Sequence, residues 1–323
     1  MPSIAPDRPA AAVTSVAVAV IENRAGEVLL SQRPNHVHLG GCWEFPGGKV
    51  EPGETALMAL VREVREELGL QVLQADPMLQ IPWAYPEKVV RLHVWRVTAF
   101  DGVPVGREQQ RVQWVPRSQL SNYTFPPANQ AILTALHLPH AMLVTGAFSS
   151  SRDCLDRIQR AVEQHGIRCV QLRAPDLSQQ AFQAVAWDVA HYCRQHQVCL
   201  LLNTTPDLPA DLLNAVSGVH LNTARLMQCR QRPVSPTRLL GASCHSAAEL
   251  QHALSLPVDY VLVSPVLPTA SHPDTAPLGW AAFEALVKQS SVPVLALGGV
   301  SAADLTRVRA VGAYGIAGIS AWW

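Results

Sequence analysis

From Ala141 onward the chain repeats one pattern. Short apolar runs stand at Met142–Thr145, Cys169–Leu172, Val198–Leu202, Gly218–Leu221, Leu239–Ser243, Tyr260–Val263, Val292–Leu297 and Gly315–Ile319. Helical periodicity fills most of the gaps, at Arg152–His165, Gln179–Gln195, Ala210–Val216, Ala247–Leu254, Ala281–Lys288 and Ala302–Val311. Strands alternating with helices read as parallel βαβ units. Eight in succession point to a (β/α)8 barrel of the TIM type, small for that fold. The sequence stops at Trp323, close behind the eighth run, so the last helix is expected to be missing or truncated. The barrel is then either incomplete or covered by the rest of the chain.

The first half has a different rhythm. A strand is expected at Val13–Ile21, where Val16, Val18 and Val20 alternate with alanines, and a short one near Val28–Leu30. A glycine-rich loop leads to a strong helix at Thr55–Leu68, and alternation returns at Val90, Leu92 and Val94. Pro126-Pro127 precedes a closing helix near Ala128–Leu136. Residues 1–12 are rich in proline and alanine and read as a disordered end. The expected organisation is one domain over 1–137, a linker over 138–141 around Leu138-Pro139-His140, and the barrel over 142–323.

Composition narrows the function. Basic and acidic residues balance at 25 each, which excludes a surface built to track duplex phosphates. No apolar run reaches the ~18 residues that span a membrane. Seven cysteines without a CxxC pair argue against a zinc site or disulfide framework, and place the protein in a reducing cytoplasm.

The chemistry concentrates in one run: Gly48-Lys-Val-Glu-Pro-Gly-Glu54, seven residues, then Arg62-Glu63-Val64-Arg65-Glu66-Glu67-Leu68-Gly69-Leu70. Leu57, Leu60, Val61, Val64 and Leu68 are expected to form one apolar stripe that packs into a core. Glu63, Glu66 and Glu67 then share another face at i, i+3 and i+4, where like charges repel. Hard Mg²⁺ would offset that repulsion and also prefers phosphate oxygens.

This run resembles the Nudix box, Gx5Ex7REUxEExGU with U apolar, at every fixed position. The resemblance implies an α/β/α sandwich with a mixed sheet that hydrolyses nucleoside diphosphate linkages. It implies Glu63, Glu66 and Glu67 as Mg²⁺ (or Mn²⁺) ligands, with the Gly48 carbonyl as a further one. The metal would lower the pKa of the attacking water. Arg62 would orient the carboxylates, and Glu54 would support the loop. Glu67 is expected to be essential, as ligand or as general base.

The flanks resemble the MutT-type 8-oxo-dGTP diphosphatases. Trp43-Glu-Phe-Pro-Gly-Gly-Lys carries that subgroup's EFPGGK run, and Phe125-Pro-Pro-Ala-Asn129 its FPPAN run. The likeness implies Arg33, Phe45, Glu87 and Asn129 as nucleotide-binding residues and Glu108 as a further metal or base contact. An amide such as Asn129 offers donor and acceptor together, as an oxidised guanine edge requires. Taken singly, Arg33 reads equally as a surface arginine, Phe45 as core and Asn129 as a helix cap. The rival substrate is a thiamin-pathway pyrophosphate.

The second half resembles thiamin-phosphate synthases and their thiazole tautomerase branch, TenI. The carrying runs are Val170-Gln-Leu-Arg173, Gly218-Val-His-Leu221, Gly241-Ala-Ser243, Pro265-Val-Leu-Pro-Thr269, Leu297-Gly-Gly-Val300 and Ile319-Ser320. The likeness implies a ligand site at Arg173, Ser243, His245, Thr269, Gly298, Gly299 and Ser320, with a thiazole or thiamin phosphate as its occupant. Gly298-Gly299 and Ser320 are placed to cradle phosphate with N–H groups. The synthase's charged residues are replaced: Pro175 and His272 stand for lysines, Thr204 and the Asn222–Arg225 segment for aspartates. Without them a Mg²⁺-pyrophosphate site is hard to build. Synthase activity is not expected. A tautomerase using His245, or a binding module that regulates the hydrolase, stays open.

Overall fold

The structure is a computed structural model that describes residues 13–203, 208–269 and 275–323. The end at 1–12, Thr204 and His272 lie outside the described residues. The chain divides into two compact units between Gln130 and Ala131. That division falls ahead of the expected linker at 138–141.

The first unit holds two sheets. Strands β1 (Val13–Ile21), β4 (Gly47–Lys49), β5 (Gln71–Ala84) and β6 (Val89–Asp101) form one, in the order β4-β1-β6-β5. Its β1 pairs parallel with β6 and antiparallel with β4, so the sheet is mixed. Strands β2 (Glu27–Gln32), β3 (Trp43–Glu44) and β7 (Val112–Pro116) form the other, in the order β3-β2-β7. The sequence pattern misses β5. It carries Pro77 and Pro82 and breaks register three times against β6, which erases a period of two. It is an edge strand, where proline costs no ladder hydrogen bond.

Helix α1 (Ala56–Leu68) starts where Thr55 Oγ1 accepts from the Met58 N–H at 3.2 Å and ends at Gly69 with φ 72°. Its buried residues are Ala59, Leu60, Val64 and Leu68. They join Ala17, Ala19, Ile21 and Leu29 in the core. The expected stripe is corrected here. Leu57 is 39% and Val61 38% exposed. The helix is turned about its axis from the all-apolar setting. At 3.6 residues per turn, Glu63 and Glu67 then fall on the same side as Ala59 and Leu60. The three glutamates stay neighbours, with Arg62 Nη1 bonding both Glu63 and Glu66, but they differ in exposure: Glu63 and Glu67 are partly buried, while Glu66 is exposed.

Helix α2 (Gln130–His137) follows a single 3₁₀ turn at Pro127–Asn129. The second unit is a closed parallel barrel of eight strands in chain order. They are β8 (Ala141–Val144), β9 (Cys169–Leu172), β10 (Cys199–Asn203), β11 (Gly218–Leu221), β12 (Leu239–Cys244), β13 (Tyr260–Val263), β14 (Val294–Ala296) and β15 (Gly315–Gly318). β15 pairs with β8, so the barrel is complete. Intervening helices are α3 (Ser151–His165), α4 (Gln179–Gln195), α5 (Ala210–Ala215), α6 (Thr223–Gln228), α7 (Ala247–Ser255), α8 (Gly279–Val287) and α9 (Leu305–Ala310). The sequence pattern misses α6, which is too short to show a period. No helix follows β15. Instead Trp323 lies edge-on to Phe148 and under the Arg157 guanidinium, and its Nε1–H donates to the Ala147 carbonyl at 3.0 Å.

Outward strand residues such as Val170, Leu202, Val219, Ala242 and Val263 pack in the helix-facing core. Inward residues are polar in part, as period-two alternation allows. Among the described residues, no helix is long and apolar enough to cross a membrane.

The turned α1 predicts unequal costs along its apolar residues. Leu60→Ala should lower unfolding free energy by about 2–5 kcal/mol. Val61→Thr, one position on, should stay within about 0.5 kcal/mol. Urea denaturation of both variants checks this.

Candidate functional site

Arg62 is the hub of the N-terminal site. Its Nε and Nη2 donate to the two Glu54 carboxylate oxygens at 2.8 and 2.9 Å. Nη1 donates to Glu63 Oε1 at 2.8 Å and Glu66 Oε2 at 3.1 Å, and Nη2 also reaches the Lys49 carbonyl at 3.0 Å. One guanidinium thus joins three carboxylates and the β4 backbone. Arg62 holds the Glu54 carboxyl down to about 2, helped by the Glu51 N–H. Glu54 Oε2 accepts that N–H at 3.1 Å, which closes the loop before α1.

The Glu63 carboxylate lies against Gly48. A Cβ there would sit 2.1 Å from its Cδ, so any larger residue would push the carboxylate out of this position. Gly48 itself is registered opposite Ala17 in the β1–β4 ladder. Glu67 Oε2 accepts from the Gly47 N–H at 3.2 Å. Burial pushes the Glu67 carboxyl up to about 8 against that hydrogen bond, and the charges of Glu44, Glu63 and Glu108 push the same way.

Glu108 is exposed on a loop that docks on the end of α1. The Val105 N–H donates to the Leu68 carbonyl at 3.0 Å, and the Arg107 N–H to the Glu67 carbonyl at 2.9 Å. These bonds satisfy carbonyls that a helix end leaves open. Glu66 stays on Arg62, with its side chain 56% exposed.

The donor set is hard oxygen, which suits Mg²⁺ or Mn²⁺. The mutual repulsion around Glu67 marks a place short of positive charge. As the side chains stand, no three acidic, histidine or cysteine groups among the described residues converge as metal ligands do. Arg62 occupies Glu63 and Glu66 instead.

Beside the acids opens a cavity of about 240 Å³. Arg33, Glu44, Phe45, Gly48 and Asn129 line it, with Lys49, Tyr85 and Lys88. Phe45 is buried and stacks on Phe125, ring centroids 5.6 Å apart. Arg33 pairs with Glu44 and donates through Nε to the His38 carbonyl at 3.0 Å. Asn129 is 7% exposed, and its amide makes no hydrogen bond to another side chain or backbone group among the described residues. Glu87 does not line the cavity. It stands half-exposed, 3.4 Å from His38 Nδ1.

Sequence reasoning passed over Glu44, Tyr85 and Lys88. Burial pushes the Glu44 carboxyl up, while Arg33 pulls it down. Its place between Trp43 and Phe45 in the matched run was the available signal. Lys88 stacks over Tyr85 at 5.7 Å from the ring centre.

The barrel has its own cavity, about 300 Å³. His245, Thr269, Gly298, Gly299 and Ser320 line it, as do Ser264 and Pro265. His245 Nδ1 lies 2.6 Å from the Ser264 carbonyl. A carbonyl only accepts, so Nδ1 carries the proton and Nε2 is the basic nitrogen. Gly298 and Gly299 take φ of 87° and 70°, and a Cβ on either would strike Pro265 or Pro268.

Arg173 and Ser243 do not line this cavity. Arg173 exchanges backbone bonds with Thr145 Oγ1, both 2.8 Å. Ser243 Oγ bonds His220 Nε2 at 2.8 Å, and His220 Nδ1 meets the Tyr260 hydroxyl at 2.9 Å. Tyr260 bonds Gln171, which accepts from Asn203 Nδ2 at 3.0 Å. This polar chain crosses the barrel interior. Burial pushes the His220 imidazole down to about 3, so it is neutral. Asn222, in the segment that replaces an aspartate, caps α6 by accepting from the Arg225 N–H at 3.0 Å. Lys288 pairs with Glu284 on α8 at 2.7 Å.

Comparison with known proteins follows the same division. The NUDIX domain model matches residues 17–135. The model described as thiamine monophosphate synthase matches residues 141–322. An 8-oxo-dGTP diphosphatase of Escherichia coli K12 is 34% identical over 121 residues, covering 38% of this chain and 94% of the relative. A CTP pyrophosphohydrolase of the same organism is 38% identical over 118 residues, 36% of this chain and 87% of the relative. A putative thiamine-phosphate synthase 2 of Aquifex aeolicus is 29% identical over 185 residues, 57% of this chain and 98% of the relative. With the Arg62 hub at one site and the glycine-lined barrel mouth at the other, the chain belongs to the thiamine monophosphate synthase family through its C-terminal half and carries ahead of it a Nudix hydrolase domain acting on phosphoric anhydrides.

Proposed function

We propose that the N-terminal half cleaves a nucleoside triphosphate to its monophosphate and pyrophosphate, with 8-oxo-dGTP preferred, and so cleanses the nucleotide pool. The observation that carries this is Asn129. Asn129 lines the cavity and its amide makes no hydrogen bond to a side chain among the described residues, so donor and acceptor are both available to a ligand. An 8-oxoguanine edge offers the complementary pair. Phe45 supplies an apolar wall for the base, and Arg33 holds the cavity's shape through Glu44 and the His38 carbonyl.

A divalent cation, Mg²⁺ or Mn²⁺, would be held by Glu63, Glu66, Glu67 and Glu108 with the Gly48 carbonyl. When bound it supplies phosphate charge neutralisation and a more acidic water. Arg62 orients Glu63 and Glu66 for that task and ties them to the β4 backbone. Lys49 and Lys88, at the same cavity, attract the polyphosphate.

The test is release of phosphate or pyrophosphate from 8-oxo-dGTP, dGTP, CTP and thiamin diphosphate by the full chain with Mg²⁺. A preference for 8-oxo-dGTP that disappears with Glu67→Gln supports the reading. Turnover of thiamin diphosphate with indifference to oxidised guanine sinks it. Asn129→Ala should erase about 1–3 kcal/mol of discrimination, roughly 5–150-fold in the kcat/KM ratio of 8-oxo-dGTP to dGTP.

The Glu67 carboxyl makes a second expectation. Its folded value of about 8 exceeds the ordinary 4.5. Between those values the folded state binds more protons than the unfolded one, so stability falls as pH rises through the window and levels off above it. Metal-free protein should lose Tm from pH 5 to 8, and Glu67→Gln should flatten that slope. Mg²⁺ should raise the wild-type Tm more at pH 8 than at pH 6, since protons compete for the same oxygen.

The barrel reads as a binding module for a small phosphate ester, a thiazole or thiamin phosphate. The Gly298-Gly299 pair beside Ser320 supports it. His245 Nε2 faces the same chemistry as a proton acceptor, which keeps the tautomerase alternative. Thiazole phosphate should raise the Tm, and His245→Ala should abolish any aromatisation while leaving hydrolysis intact.

A further inference from the structure

Cys169 and Cys199 are the first residues of β9 and β10 and are direct partners in their parallel register. Directly paired residues of neighbouring strands project to one face. The strands run about 4.7–4.9 Å apart, inside the ~4.4–6.8 Å range of Cα separations that a disulfide spans. The neighbouring Cys169 thiol and Ser217 hydroxyl pull the Cys199 thiol below its ordinary value against the effect of burial. Cys199 is partly exposed, whereas Cys169 is buried behind it. Cys154 and Cys193 nearby are buried, and burial pushes both thiols up to about 12.

We infer that Cys169 and Cys199 are a reversible dithiol–disulfide pair, oxidised by hydroperoxides and reset by small thiols. In the first step the Cys199 sulfur attacks a peroxide oxygen. The O–O bond breaks, the thiol proton leaves with the departing hydroxide, and Cys199 becomes a sulfenic acid plus one water. In the second the Cys169 sulfur attacks the Cys199 sulfur. The S–O bond breaks, and the Cys169 proton leaves with that hydroxide as a second water. Two thiols give two electrons, and one hydrogen peroxide becomes two waters. Exchange with two external thiols reverses the bond. The link would clamp β9 to β10, the same two strands that Gln171 and Asn203 bridge at 3.0 Å.

The test uses the full folded chain and hydrogen peroxide. After quenching, free thiols are alkylated in denaturant and peptides are mapped without reduction. The expected product is a peptide joining Cys169 to Cys199, two hydrogens lighter than its parts, and absent after dithiothreitol. Cys193→Ser should leave the link intact. Cys199→Ser should leave Cys169 as an alkylated thiol at the same peroxide dose. Recovery of both residues alkylated from oxidised wild type overturns the inference. So does a link from Cys199 to Cys193, or equal oxidation of Cys169 in Cys199→Ser.

Discussion

Two carboxylates on the inward side of one helix shape the whole N-terminal half. Burying Glu63 and Glu67 costs solvation that must be returned locally. Arg62 returns part of it to Glu63, and the Gly47 N–H returns part to Glu67. Each partner dictates more. Arg62 must be held by Glu54 and the Lys49 carbonyl, which fixes the loop between β4 and α1. Gly48 has no side chain to push Glu63 out of its place. The helix gives up burial of Leu57 and Val61 to keep this arrangement. An ordinary amphipathic helix would have been turned the other way.

That rotation explains why the site was easier to read than the packing around it. The glutamates, the arginine and the glycines stand at fixed spacings, and chemistry requires those letters. The apolar stripe Leu57–Leu68 followed the strongest hydrophobic signal, and the carboxylates overrode it. Strand β5 hid because Pro77, Pro82 and the breaks of register are tolerated on an edge. Helix α6 hid because six residues give no period. In the barrel, alternation was legible because outward residues must meet helices. The inward partners were not: His220, Tyr260 and Gln171 come from strands far apart in sequence, and no local spacing foretells a chain that crosses the interior.

The barrel closes where β15 pairs with β8, and Trp323 packs beside the end of β8, where its Nε1–H donates to the Ala147 carbonyl and its ring lies under Arg157 of α3. Gly146 makes room, since a Cβ there would lie 2.6 Å from the indole. The strand register at the seam needs only the hydrogen bonds that β15 and β8 already share.

The two cavities differ in the charge they can accept. The first is lined by Glu44 with Arg33, Lys49 and Lys88, and lies beside the acids whose charges act on Glu67. Among the described residues, the second has no acid or lysine in its wall. Its polar groups are hydroxyls, a histidine and backbone at Gly298-Gly299. Lys288, the lysine of the barrel half, is spent on Glu284. Backbone N–H groups can hold one phosphate by dipoles alone. They cannot stabilise a departing pyrophosphate in the way a lysine or metal would. Among the described residues of that wall, His245 Nε2 is the group placed to accept a proton.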